Sequence, residues 1–265
     1  MGTTLLIGLV ILVVGLAVTG LLIFLVDRFI PEDTKGVARD SWAIFAFTGV
    51  IYALVVGFVL GFALNGWQKA EESASAEADA AFALSRSITL LEAEDRDRIG
   101  HQTICYARAV IEDEWPLMAK GKAPSDLTTA SSDRLFQSFR LLARTYRYNP
   151  GLEASLERLR EISEARALRL QASNSELPGI FWLFLIGGGL LVAASAAILT
   201  GRDPLHSRFI YLTPVVLLVI GSCYLVFVFE RPFSGVNRIE PQSMELALDA
   251  VTDFVPDPRA DRPCP

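Results

Sequence analysis

Two histidines, three cysteines and several clusters of acids and arginines are the residues of this chain that could carry chemistry. A metal centre would need His, Cys, Asp or Glu ligands at helical or finger-like spacing. His101 and His206 each stand alone, and Glu-x-x-His is absent. Cys105, Cys223 and Cys264 lie in three separate regions, with no pair at metal or redox spacing. No metal, no cofactor and no disulfide framework is expected. The run Glu92-Ala-Glu-Asp-Arg-Asp97 mixes acids and bases where a helix should begin. It reads as a solvated first turn whose carboxylates favour the helix dipole. The triplet Gly187–Gly189 has neither a preceding strand nor a lysine, so it is not a phosphate loop. No Ser/His/Asp or Cys/His arrangement can be assembled, and the chain is not expected to be an enzyme.

The arginines are more patterned. Arg140, Arg144 and Arg147 fall at i, i+4 and i+7 on one helical face, and Arg166 and Arg169 form a similar pair. Focused positive charge attracts anions and anionic headgroups. The stretch Lys69–Glu176 nevertheless holds 18 acids against 15 bases. The arginines are therefore read as pairing with Glu153, Glu157, Glu161 and Glu164 across a helical hairpin. Such mixed faces, in a chain of net charge −6, offer no footprint for nucleic acid.

What positions these residues is set by where charge is missing. Gly2–Val26, Ser41–Gln68, Leu177–Gly201 and Phe209–Phe229 contain no Lys, Arg, Asp or Glu, although the chain has 24 bases and 30 acids. Each run is long enough to cross a hydrocarbon layer as a helix. The first has no basic residue before it and no Ala-x-Ala after it, so it reads as a retained span rather than a signal peptide. The expected fold is all-α, a polytopic membrane protein with four transmembrane helices and a helical cytoplasmic bundle inserted between the second and third. Its divisions are 1–68 for the first two spans, 69–176 for the bundle, 177–230 for the last two spans, and 231–265 for a C-terminal cytoplasmic tail, disordered at its end. Near the membrane, Lys69, Arg158, Arg160, Arg166, Arg169, Arg231 and Arg238 stand against Arg28, Lys35, Arg39, Arg202 and Arg208 on the opposite side. That balance puts both termini and the bundle in the cytoplasm, and the protein in the cell inner (plasma) membrane.

Within the spans, Gly57 and Gly61 at i and i+4, and Gly189 with Ala193, supply small faces of the kind that let membrane helices pack. Pro214 should disturb the fourth span. Beyond the second span, small and apolar residues recur at Ala70, Ala74, Ala78, Ala81, Leu84, Ile88 and Leu91, so one helix should run from Trp42 to Leu91. Further helices are expected over about 96–118, 132–148 and 152–172, the last capped by Asn149 with Pro150 at its first position.

The fourth span closes on Glu230-Arg-Pro-Phe233-Ser-Gly235. Upstream, Arg166-Ala-Leu-Arg169 precedes Leu177-Pro178, and the second span ends Gly57-Phe-Val-Leu-Gly-Phe-Ala-Leu-Asn65. In this order and topology, the chain resembles the bacterial bestrophin-like membrane proteins, a domain family of unknown function. The residues that carry the likeness are Arg166, Arg169, Pro178, Glu230, Arg231, Pro232, Phe233 and Gly235. The resemblance is to a group distantly like bestrophins, which are pentameric anion channels with a pore lined by the second helix and narrowed by an apolar neck. It implies a homo-oligomer in the lipid bilayer, with Phe47, Leu54, Phe58 and Phe62 lining a pore and Asn65 near its mouth. An apolar ring can gate by dewetting. The same side chains also fit plain packing against helices or lipid. Calcium-responsive bestrophins carry an acidic run after the Pro-Phe segment, whereas here Ser234-Gly-Val-Asn-Arg238 follows, so calcium activation is not expected. A non-conducting scaffold or sensor whose bundle binds a cytoplasmic protein partner is the alternative. The Glu230–Phe233 segment also reads as an anchor, with Arg231 snorkelling, Pro232 stopping the helix and Phe233 tucking under the bundle.

Overall fold

The computed structural model describes residues 2–31, 39–146, 149–174, 177–254 and 264; among them there are helices and turns and no strand. The chain divides into two compact units, 1–64 with 176–230 and 65–175 with 231–265.

The first unit contains α1 (Gly2–Phe29), the start of α2 (Arg39–Ser87), α7 (Gly179–Leu199) and α8 (Leu205–Phe229). All four helices are long and apolar enough to cross a membrane. Because lipid tails are as apolar as leucine, these helices are held by close packing and polar links rather than by a hydrophobic drive. Ile23 and Val26 of α1 pack with Ala193, Ala197, Leu212 and Val216, while Val59 and Ala63 of α2 pack with Leu185 and Val226. The Arg208 guanidinium donates to both carboxylate oxygens of Asp27, at 2.9 and 3.0 Å. Arg208 thus lies buried in the first turn of α8, where the sequence puts a loop base. Pro214 sits inside α8, which continues past it to Phe229.

The second unit is a helical bundle. The α2 helix ends at Ser87, and a short 3₁₀ turn, Ile88–Leu90, takes the place of its expected last turn. Next come α3 (Ala93–Ala109), a π-helical turn (Val110–Glu114) and α4 (Trp115–Ala119), where the sequence suggests one unbroken helix. α5 (Asp126–Thr145) starts earlier than position 132, because Ser125 caps it by accepting from the Thr128 N–H. α6 (Pro150–Ser173) is capped by the Asn149 side chain, which accepts from the N–H groups of Gly151 and Leu152. The alanines of α2 let Tyr106, Leu135, Phe139, Leu159 and Ile162 close over it as one core. Gln242–Phe254 forms α9, whose Met244, Ala247 and Val251 are buried, where the sequence suggests only a tail. The expected disordered end beyond Val255 lies outside the described residues, Cys264 excepted.

One expectation is corrected outright. Cys264 is disulfide-bonded to Cys105 of α3, with Cα atoms 5.4 Å apart, and Cys223 is free. The partners are 159 residues apart, and a pair that meets only through the fold leaves no spacing signature in the sequence.

Candidate functional site

Two groups of residues stand out, one on a membrane helix and one inside the bundle. On α2, Phe47, Leu54, Phe58 and Asn65 are spaced 7, 4 and 7 apart, which puts them within about 20° of one line on a 3.6-residue helix. All four are exposed, Phe58 most at 79%. Phe62 lies to the side of this line and leans on Phe181 of α7, with near-parallel rings 6.3 Å apart. Gly57 and Gly61 are on the exposed side of α2 as well. A Cβ added at either would meet nothing within 4 Å among the described residues, so no described helix packs closely on them. Gly189 is the opposite case. A Cβ there would run into Cγ1 of Val219 and stand 2.9 Å from the Tyr52 hydroxyl, which donates to the Leu185 carbonyl. Here α2, α7 and α8 meet at the closest approach a missing side chain allows, with Ala193 buried one turn on.

The second group gathers around Arg169, which is fully buried. Its Nε donates to Glu77 at 2.5 Å, and its Nη2 donates to Glu77 at 3.0 Å and to Glu114 at 2.6 Å. Arg166 reaches the same Glu114 carboxylate at 2.6 and 3.2 Å and the Thr129 hydroxyl at 3.1 Å. The Tyr106 hydroxyl donates to Glu77 at 2.6 Å. Two carboxylates and two guanidiniums therefore cancel inside the bundle, as buried charge requires. Burial raises the pKa of Glu114, but Arg166 and Arg169 outweigh it and hold the carboxyl below its ordinary range. For Arg169 burial favours loss of the proton, yet Glu77 and Glu114 overcome that and raise its pKa further. Tyr106 is pushed well above the usual phenol value, chiefly by burial and next by the charge on Glu77.

Local backbone chemistry explains how Glu114 comes to face inward. In the wide turn, the N–H of Trp115 donates to the Val110 carbonyl five residues back, and Pro116 follows with no N–H to continue the tighter ladder. Turns of this kind recur where a helix must re-aim a side chain for function. Next to Glu114, the Trp115 ring lies 5.1 Å below the Arg169 guanidinium. It also meets Phe233 edge-on at 5.6 Å, and its Nε1 donates to the Ile239 carbonyl at 3.0 Å. Phe233 is thus buried in the bundle core. Pro232 accepts from the Ile239 N–H, closing a short loop in which Gly235 takes a φ of +83°. At the other end of the motif, Glu230 in the first unit accepts from the Leu177 N–H at 2.8 Å, just before Pro178 caps α7.

The structure therefore joins Arg166 and Arg169 to Phe233 through Trp115, and corrects their expected partners. Glu157, Glu161 and Glu164 are taken by Arg158 and Arg160 of their own helix, while Arg140 and Arg144 are exposed on α5; Arg147 lies outside the described residues. Glu77 and Glu114 were missed. A signal existed for Glu77: positions 70, 74, 77, 81, 84 and 88 form a cleaner 4-3-4-3-4 core register than the one drawn through Ala78, with a carboxylate at its centre. Among the described residues, no three His, Cys, Asp or Glu side chains are arranged to hold a metal ion.

Comparison with known proteins bears on this arrangement. The family of the bestrophin-like domain matches residues 9–244. No curated protein matches the sequence. Among solved structures, a bacterial bestrophin homologue from Klebsiella pneumoniae superposes with a TM-score of 0.72 at 13% identity, over 94% of this chain and 98% of that one. A single-residue variant of that homologue gives 0.74 at 13% identity, over 94% and 99%.

Proposed function

Because this multi-pass membrane protein belongs to the bestrophin-like family, we propose that it assembles as a homo-oligomeric ion channel whose pore is lined by α2. The observation that carries this reading is the line Phe47, Leu54, Phe58 and Asn65, left exposed among the described residues and flanked by Gly57 and Gly61 with open space beside them. Around a ring axis, the phenylalanines would form an apolar constriction and Asn65 a polar mouth. A ring of that kind passes ions only when it wets. Anions are the cargo that the bestrophin resemblance implies. The oligomer sits in the inner membrane, with the bundle and both termini in the cytoplasm. No catalytic step belongs to this reading: the buried acids around Arg169 are spent on guanidiniums rather than held for proton transfer.

The test is flux. Phe58→Ala widens the constriction and should raise ion leak from proteoliposomes several-fold over wild type. Equal flux in both, or a purified monomer, removes the channel. A second reading, a non-conducting scaffold or sensor, draws on Leu127, Leu141, Arg140 and Arg144, all exposed on α5. It predicts silent bilayers and capture of a protein partner that is lost when residues 123–172 are deleted.

A further inference from the structure

The disulfide brings together three side chains that the channel reading does not use. His101 and Cys105 are four residues apart on α3 and so share a face. The His101 Nε2 is 3.6 Å from the Cys105 sulfur, and Cys264 is bonded to that same sulfur. We propose that, once the disulfide is reduced, His101, Cys105 and Cys264 bind a soft divalent cation of the Zn²⁺ class. Cys264 is then fastened to α3 either by the disulfide or by the metal.

The distances suit this. A tetrahedral zinc site with bonds of about 2.3 Å to sulfur and 2.0–2.1 Å to nitrogen separates those two ligands by roughly 3.6 Å. The helix already holds that spacing. The third ligand needs only the parting of two sulfurs, and Cys264 is on the exposed side, where water can fill a fourth position. The ligand set of two thiolates and one imidazole selects zinc, cadmium or cobalt over magnesium and calcium, which prefer oxygen. Two thiolates also cancel the charge of the ion. Arg98, one turn before His101 on the same face, is engaged by Asp95 at 2.7 Å, which limits its repulsion.

The chemistry balances with a phosphine as reductant. The S–S bond takes two electrons from phosphorus, which becomes the phosphine oxide, while water supplies the oxygen and the two thiol protons. Metal binding then releases both thiol protons and forms two metal–sulfur bonds and one metal–nitrogen bond. In the oxidised chain each sulfur is spent on the other, and among the described residues no trio of ligands stands ready. In a reducing cytoplasm the dithiol is the favoured state.

The experiment uses the full chain in detergent, reduced with a phosphine and titrated with Co²⁺, whose thiolate charge-transfer band reports sulfur ligation. One Co²⁺ per chain is expected after reduction and none before it. Cys264→Ser should abolish the band. His101→Ala should weaken binding by at least about 10–100-fold, the loss produced by removing even an outer-shell partner, while its disulfide still forms on re-oxidation. Cys223→Ser should change nothing. Absence of stoichiometric Co²⁺ uptake by the reduced wild type overturns the proposal. So does undiminished binding in Cys264→Ser or His101→Ala.

Discussion

Arg169→Met removes the centre of the buried network without emptying its volume. Glu77 then loses both of its guanidinium contacts and keeps the Tyr106 hydroxyl, while Glu114 retains Arg166. The cluster changes from two positive and two negative charges to one against two, at a place with no exposure to water. Breaking a buried pair by removing one partner costs about 3–5 kcal/mol. For a unit of this size that is a fall in unfolding temperature of roughly 6–20 °C. Intrinsic tryptophan emission during a thermal ramp reads it, because Trp115 packs directly on Arg169 and Phe233. The double variant Glu77→Gln/Arg169→Met restores charge balance, with Glu114 and Arg166 left as a single pair. Its loss should be smaller than the sum of the two single variants' losses by about 1–3 kcal/mol of coupling. A single variant within about 1 kcal/mol of wild type, or a double variant whose loss equals the sum of the singles, refutes the reasoning.

Two other outcomes follow from the same geometry. The folded-state pKa of Glu114 lies below its unfolded value near 4.5, so its stabilisation is complete above that pH and is lost as pH falls through the lower, folded value. Tyr106 works in the other direction, its share being present below pH 10 and lost as pH rises through its elevated folded value. Unfolding midpoints measured across pH should show this plateau, and Glu114→Gln should flatten its acid edge; an unchanged acid edge in that variant contradicts the assignment. In the membrane unit, Gly189→Ala forces a methyl against Val219 and Tyr52 and should cost about 1–3 kcal/mol of overpacking. Gly57→Ala meets nothing among the described residues, so it should leave the stability of an isolated subunit intact. Equal effects in the two variants would mean that the crossing at Gly189 is misjudged.

How far the sequence could be read depended on the range of each interaction. Charge-free runs announce membrane helices because lipid imposes length and polarity on every residue they contain, and Asn149-Pro150 marks a helix start through contacts within three residues. The buried network was illegible for a different reason. Glu114 faces inward only because a wide turn ahead of Pro116 shifts the helix, and nothing in a regular 3.6-residue count foretells that shift. Arg166 and Arg169 were visible as a motif, yet their partners lie 52 to 92 residues away, and nearer glutamates on α6 offered an easier pairing. The Cys105–Cys264 bond and the docking of α9 depend on tertiary placement in the same way. On α2 the phenylalanine repeat was plain, while the sideways lean of Phe62 onto Phe181 needed the neighbouring helix.

The pore along α2 is tested most directly by Phe58→Cys in a Cys223→Ser background, reconstituted and treated with a charged, membrane-impermeant thiol reagent during flux measurement. If α2 lines a water-filled path, the reagent modifies position 58 from the aqueous phase and ion flux falls sharply, while subunits cross-link through that position on oxidation. Position 58 unmodified, with flux unaltered and subunits uncrosslinked, would place this face against lipid and contradict the account.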